Sequence, residues 1–327
     1  MKSVSLNTKA SRQISNCKTV FVYHKNAMPV AIRTITLVGA GFMGVQIACR
    51  AALYGSTVRV YDSSRPALDK AANDISLSID VACLDGEFKG RDPSEAGGRI
   101  SFHDTLEDAV KSAELVMEIV PERLELKREV FALIDRLAEP AAIIATNSSS
   151  IPVSRIETAV RRRDRVVNTH FYAPVMKNYF VDVAGGTDTT EEVLLAVEAW
   201  LRSINCLPVR VKKECLGFVF NRIWRAVKRE SLASWANGNA DFRDIDRAWM
   251  IWSGMPTGPF AMMDAVGLDV IYDIEMEYFR DSNDAKDRPP AALKEMIDRG
   301  ELGMKSGKGF YDWKDPEFAR PDFLKPR

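Results

Sequence analysis

The chain has 327 residues, 46% of them hydrophobic, enough for one large domain or two ordinary ones with a substantial core. Its 45 basic and 45 acidic residues cancel, which argues against nucleic acid or an anionic membrane as partner. No apolar run approaches the ~18 residues that a membrane helix needs. The five cysteines (Cys17, Cys49, Cys83, Cys206, Cys215) are scattered, without ligand spacing. They point to reduced thiols in a cytoplasmic type of compartment and to no metal site.

Residues 1–33 carry Lys2, Lys9, Arg12, Lys18, Lys25 and Arg33 and no acid; the first acid of the chain is Asp62. Such a leader resembles an organelle transit peptide, which would place the protein in an organelle matrix. The competing reading is a disordered extension, or a true start at Met28. The missing amphipathic helix favours the extension.

From residue 34 the elements alternate. The run Ile35–Val38 feeds into Gly39-Ala40-Gly41-Phe42-Met43-Gly44, a G-x-G-x-x-G turn. Residues 45–53 (VQIACRAAL) read as a helix that is apolar nearly all round, and Val58–Tyr61 as a second strand ending at Asp62. That order is the one a dinucleotide-binding βαβ unit requires. Gly39 permits the turn, Gly41 lets a diphosphate approach the backbone, and Gly44 lets helix and strand pack closely. The helix N-terminus offers free N–H groups to the diphosphate. Asp62 suits the hydroxyls of an adenosine ribose and repels a 2′-phosphate, which favours NAD over NADP, with Arg65 nearby as the counter-argument.

Beyond Asp62 the spacing predicts a helix over 65–85, then a polar, glycine-containing connection over 86–98. Strands follow at 100–103, 115–120, 142–145, 165–168 and 179–183, with helices at 105–113 and 124–138. In the last of these, Leu126, Val130, Phe131 and Ile134 fall at helical spacing. Strands alternating with helices predict an α/β fold with a doubly wound, mainly parallel, Rossmann-type sheet. After about residue 213 only helical segments are predicted: 217–235, 241–251, 259–279 and 291–298. The division is therefore a basic extension over 1–33, a dinucleotide domain over 34–213, and an all-helical C-terminal domain over 214–327. A cleft between two such domains is where ligand chemistry is expected.

Of three histidines, His24 lies in the leader and His103 in a probable edge element. His170 ends a predicted parallel strand, where open α/β sheets bind ligands. Its imidazole suits the removal of a hydroxyl proton, with Asp182 twelve positions on as the carboxylate that would orient the ring. A lone histidine is also commonly structural. The segment Thr146-Asn147-Ser148-Ser149-Ser150 ends another strand at the same edge. Its hydroxyls suit a substrate oxygen or a nicotinamide amide, or equally a turn capping the next helix.

Several segments together resemble the L-3-hydroxyacyl-CoA dehydrogenases, including the 3-hydroxybutyryl-CoA enzymes. They are GAGFMG at 39–44, the acid at 62, VMEIVPERLELK at 116–127, TNSSS at 146–150, HFYAPVMK at 170–177, GFVFNR at 217–222, GMPTGPFAMMDAVGLD at 254–269 and GMKSGKGFYDW at 303–313. The resemblance spans residues 34 to about 315, in order. It implies His170 as acid/base, Asp182 in the place of a histidine-orienting glutamate, and Ser149 and Asn221 as hydrogen-bond donors to the reacting oxygen. It further implies Glu122, Lys127 and Lys305 near the bound nucleotide, with Gly39, Gly41, Phe42, Met43, Gly44 and Asp62 around it. An acyl-CoA substrate, as in β-oxidation of fatty acids, and a homodimer formed through the helical domain are likewise what the resemblance implies.

Two departures stand out. The family's HFxNP asparagine is replaced by Ala173, and the orienting glutamate by Asp182, whose carboxylate is drawn back by roughly 1.5 Å from where acid/base hydrogen bonds operate. Asn178 and Tyr179 also differ from the family, and Tyr179 is expected to narrow or reshape the pocket. The resulting expectation is NAD-dependent oxidation of an (S)-3-hydroxyacyl-CoA to the 3-ketoacyl-CoA. The alternatives are a dehydrogenase of a small polar 3-hydroxy acid, such as gulonate or carnitine, and a non-catalytic NAD-binding protein of crystallin type.

Overall fold

The structure is a computed structural model that describes residues 31–84 and 86–325. Nearly all of the basic leader, with its targeting expectation, lies outside the described residues. The strands are β1 (Thr34–Val38), β2 (Thr57–Tyr61), β3 (Ile100–His103), β4 (Leu115–Glu118), β5 (Ile143–Thr146), β6 (Val166–Phe171), β7 (Phe180–Gly185) and β8 (Leu207–Val211). They form one sheet in the order β3-β2-β1-β4-β5-β6-β7-β8. Neighbours from β3 to β6 run parallel, β7 is antiparallel to β6, and β8 is parallel to β7.

The strand order reverses between β1 and β4, and such switch points are where doubly wound sheets bind ligands. Strands β4, β5 and β6 are buried along their whole length, as strands covered on both faces are, and they bury Glu118, Thr146, Asn168, Thr169 and His170 with their apolar residues. Strand β8 was not among the predicted elements. It carries Pro208 and forms one edge of the sheet, the position where a missing ladder donor is tolerated.

The sheet is flanked by α1 (Phe42–Leu53), α2 (Arg65–Leu84), α3 (Pro93–Gly97), α4 (Leu106–Val110), α5 (Leu124–Leu137), α6 (Val153–Ile156) and α7 (Glu191–Ser203). Helix α1 is buried from Gly44 onward apart from Gln46, as its composition predicts, yet Arg50 is buried within it. That guanidinium is satisfied by the carbonyls of Ile204 (3.0 Å), Val175 (3.2 Å) and Asn205 (2.7 Å) and by Glu87 at 3.5 Å. It ties α1 to the segments that precede β7 and β8. Helix α3 falls within the stretch predicted as a plain connection; Asp92 caps it and Pro93 starts it.

The C-terminal part holds α8 (Phe220–Ala236), α9 (Phe242–Ser253), α10 (Pro259–Val266), α11 (Leu268–Ser282) and α12 (Ala291–Asp298). The single helix predicted over 259–279 is two helices, because Gly267 between them adopts φ +107°. Two buried acids organise this part. Asp246 accepts from the N–H groups of Phe260 and Ala261, which begin α10, and from the Tyr311 hydroxyl. Asp264 accepts from Phe310 N, Tyr311 N and Trp313 Nε1. A Cβ at Gly303 would lie 2.1 Å from the Asp264 carbonyl oxygen, and one at Gly309 2.2 Å from its carboxylate. Gly303 and Gly309 of GMKSGKGFYDW are therefore packing requirements around Asp264, whereas a Cβ at Gly307 would meet nothing within 4 Å. No helix among the described residues is long and apolar enough to cross a membrane.

Candidate active site

A cavity of about 950 Å³ opens at the switch point. Its floor is the β1–α1 turn. Gly39 adopts φ +124°, and a Cβ there would come within 2.6 Å of the Ile119 carbonyl oxygen just past β4. A Cβ at Gly44 would lie 2.2 Å from the Gly39 carbonyl oxygen. A Cβ at Gly41 would meet no protein atom within 4 Å, and Gly41, Phe42 and Met43 line the cavity. The first and third glycines thus serve the protein's own packing, and the second leaves the backbone open on the cavity side.

Helix α1 starts at this opening with no capping side chain and no acid in its first turn, so its N–H groups remain available to an anion. Asp62, at the end of β2, accepts from Ala40 N and Ser64 N, each at 2.9 Å, and lines the cavity. Each carboxylate oxygen keeps a further acceptor site for a ribose hydroxyl. Arg65 does not line the cavity; its guanidinium is held by Asp69 (2.9 Å) and Asp104 (2.5 Å). These features fit NAD: a cradle a diphosphate can approach, and an acid with no cation opposing it at the ribose position.

His170 lines the cavity from β6 and is 6% exposed. Asp182 lies directly opposite it on β7, in the antiparallel register that puts both side chains on one face. The sequence places these two together, and the structure brings them face to face without joining them. His170 Nδ1 is 3.8 Å from Asp182 Oδ2, beyond hydrogen-bond reach, and has no hydrogen-bond partner in the structure. The expected orienting bond is absent for the reason its chemistry gives: the aspartate is one methylene too short. Its Oδ2 instead accepts from the Tyr172 hydroxyl at 2.5 Å. Sequence reasoning missed this partner, although the i, i+2 spacing of His170 and Tyr172 was the available signal.

Glu122 and Lys127 both line the cavity and are bonded to each other. Lys127 is 1% exposed, and its ammonium lies against Glu118 (2.9 Å), Glu122 (3.1 Å) and the Val120 carbonyl (3.3 Å). One oxygen of Glu122 accepts from Ser148 Oγ, Ser150 Oγ and the backbone N–H groups of Ser149, Ser150 and Ile151. Burial alone would raise the Glu122 carboxyl, but Lys127 and the Ser148 and Ser150 hydrogen bonds outweigh it and hold it below its usual range. The serine run therefore divides. Ser148 and Ser150 build the turn, while Ser149 is exposed at the cavity wall. Asn221, in the first turn of α8, reaches the same cavity from the helical part.

Other expected residues lie elsewhere. Lys305 is not among the cavity residues; its ammonium is bonded to Asp269 beside Gly267. Ala173 lines the cavity with a methyl group. Asn178 donates to the Ala173 carbonyl at 2.6 Å, and Tyr179 is 59% exposed; neither lines the cavity, so Tyr179 does not narrow it. His103 sits on edge strand β3, and His24 falls outside the described residues. Among the described residues no cluster of His, Cys, Asp or Glu has the makings of a metal site.

Comparison with known proteins places the chain in a family. Residues 34–215 match the model of the 3-hydroxyacyl-CoA dehydrogenase NAD binding domain, and residues 217–313 that of the 3-hydroxyacyl-CoA dehydrogenase C-terminal domain. A probable 3-hydroxybutyryl-CoA dehydrogenase of Bacillus subtilis is 33% identical, covering 87% of this chain and 98% of its own. The 5-formyl-3-hydroxy-2-methylpyridine 4-carboxylate 5-dehydrogenase of Mesorhizobium japonicum is 32% identical, covering 86% and 90%. The solved (S)-3-hydroxybutyryl-CoA dehydrogenase of Ralstonia eutropha superposes with a TM-score of 0.80 at 32% identity, covering 86% of this chain and 99% of its own.

Proposed function

Because the chain belongs to the 3-hydroxyacyl-CoA dehydrogenase family, NAD-dependent oxidoreductases, we propose that it interconverts an (S)-3-hydroxyacyl-CoA and the 3-ketoacyl-CoA. The observation that carries this reading is the convergence of His170, Ser149 and Asn221 with the Gly39–Gly44 turn and Asp62 on one cavity. NAD, when bound, supplies the acceptor for the hydride that leaves C3.

The protein's own groups do the rest. With Nδ1 turned toward Asp182, the other ring nitrogen of His170, Nε2, is the one left to take the C3 hydroxyl proton. Ser149 and Asn221 offer hydrogen bonds to the oxygen while it carries developing negative charge. The Asp182 carboxylate lies behind the ring, opposite the positive charge that the imidazole gains. Glu122 fixes the turn that presents Ser149, and Asp62 and the open backbone at Gly41 hold the coenzyme.

We also propose that two copies pair through the helical part, where Ile223, Ile251, Trp252 and Val266 are each at least half exposed. A second substrate reading, a small polar 3-hydroxy acid, rests on Ala173, which puts a methyl group on the cavity wall where the family has an amide.

The deciding experiment is NADH oxidation with acetoacetyl-CoA, run beside NADPH and beside His170→Ala. Turnover with NADH that vanishes in the variant while NADH affinity is retained supports the reading. If His170→Ala keeps most of its activity, the role is wrong. Wild-type protein that binds NADH but does not turn over the thioester shifts the assignment to the polar acid, and competition by free coenzyme A separates the two. Turnover of any 3-hydroxy substrate removes the non-catalytic reading.

A further inference from the structure

Tyr172 has a place in the site that its position in the sequence does not announce. It follows the last residue of β6 and sits two residues after His170, so both rings leave the same side of the chain. The two rings meet edge to face with centroids 4.3 Å apart, and Phe218 stacks on His170 at 5.3 Å. Phe180 of β7 and Phe220 of α8 pack against Tyr172 at 4.6 Å and 5.4 Å, which fixes its ring. The hydroxyl donates to Asp182 Oδ2 at 2.5 Å.

Asp182 is fully buried, and its Oδ1 has no hydrogen-bond partner in the structure. A carboxylate so enclosed is expensive to keep ionised without donors. The Tyr172 hydroxyl is the donor to its Oδ2. Burial first, then the bond and charge of Asp182, push the Tyr172 hydroxyl far above its ordinary range, so it remains a neutral donor. The oxygen it holds is the one that faces His170 Nδ1 at 3.8 Å.

We propose that Tyr172 is a positioning residue of the reaction, acting through Asp182: its hydroxyl holds the short carboxylate behind His170, so that the imidazole keeps its proton on Nδ1 and presents Nε2 to substrate. This rests on the reading of His170 as the acid/base. Tyr172 and Asp182 form a matched pair, in which a hydroxyl and a shortened acid together occupy the line that one longer acid would span. Each depends on the other. Without the hydroxyl the aspartate loses its anchor, and with a longer acid the hydroxyl is in the way.

The test uses the full-length protein with three changes: Tyr172→Phe, Asp182→Glu and the two combined. Tyr172→Phe is expected to lower kcat roughly tenfold to a hundredfold, the scale on which a ~1 Å misplacement acts. KM and NADH affinity are expected to stay within about twofold, because binding does not use this bond. The double variant is expected to recover most of the lost kcat, since the glutamate carboxylate reaches ~1.5 Å further, one C–C bond, into space vacated by the hydroxyl. A readout independent of substrate accompanies the kinetics. The chain has only 3 histidines, so the ¹⁵N-histidine spectrum assigns the His170 tautomer directly against His170→Ala. Wild type is expected as the Nδ1–H form and Tyr172→Phe as a mixture.

A Tyr172→Phe protein with wild-type kcat and an unchanged tautomer overturns the proposal. So does a double variant no better than Tyr172→Phe alone. If wild type fails on acetoacetyl-CoA, the substrate reading falls, while the histidine spectra still decide the role of Tyr172.

Discussion

The Glu122 carboxylate accepts the backbone N–H of Ser149 at 3.1 Å, so an acid on the segment between β4 and α5 holds the serine that opens onto the cavity. The same carboxylate is bound to Lys127, which Glu118 holds from the other side. Position of the serine turn and burial of the lysine charge are thus one problem with one solution.

Glu122→Gln is therefore expected to act on both. The amide cannot serve both sides: with its oxygen on the serine turn its NH2 group faces the Lys127 ammonium, and flipped it turns that group on the serine N–H donors. Stability should drop by about 1.5–3 kcal/mol, the scale of a hydrogen bond to a charged group. Steady-state kinetics should show kcat falling by about tenfold or more as Ser149 loses its setting. An unchanged kcat would sink the positioning role.

The three turn glycines are expected to separate in their effects. Gly41 has φ −75° and open space around its missing Cβ, so Gly41→Ala should fold normally. It should weaken NADH binding by roughly tenfold or more, because the methyl occupies the approach a diphosphate needs. Gly44→Ala puts a Cβ 2.2 Å from a backbone oxygen. It should lower thermal stability by about 1–3 kcal/mol as well as binding. Calorimetry beside NADH titration checks the pair, and equal stability losses in the two variants would contradict it.

Acid sensitivity is expected to track Asp287. Burial would raise its carboxyl, but hydrogen bonds from Ser282, Arg225 and Arg229 and the charge of Arg225 bring it down to about 2. A depressed acid contributes stability above its unfolded pKa of about 3.9, and that contribution is lost as pH falls through the folded value. Asp287→Asn should cost about 1–2 kcal/mol at pH 7, after allowance for solvent screening, and progressively less between about pH 4 and pH 2. Denaturant titrations at the two ends of that window test it; an equal cost at both ends would remove the linkage.

Much of the site is legible in the sequence because its parts are local. A strand, three glycines and a helix specify a turn within ten residues, and the backbone has few ways to make it. Asp62 and His170 stand at strand ends, where alternation of short apolar runs with helices already puts them. Strand β8 was not legible, because Pro208 breaks the strand pattern and only an edge position makes it acceptable. The split of α10 from α11 was hidden in a continuous helical period that Gly267 interrupts.

What the sequence by itself determined is the chemistry on offer: a dinucleotide turn, an acid for a ribose, an imidazole at a parallel-strand end and the residues able to donate beside it. What only the tertiary structure decided is which of these groups meet. His170 and Asp182 face each other because β7 runs antiparallel to β6 in one register, and the short aspartate stops at 3.8 Å from the ring, its carboxylate bonded to Tyr172 instead. Lys127 is enclosed by two acids and Lys305 is paired with Asp269, although both carry the charge that would suit a nucleotide. Side-chain type fixes what a group is able to do. Distances of an ångström, set by packing between segments far apart in the chain, fix which partner it has.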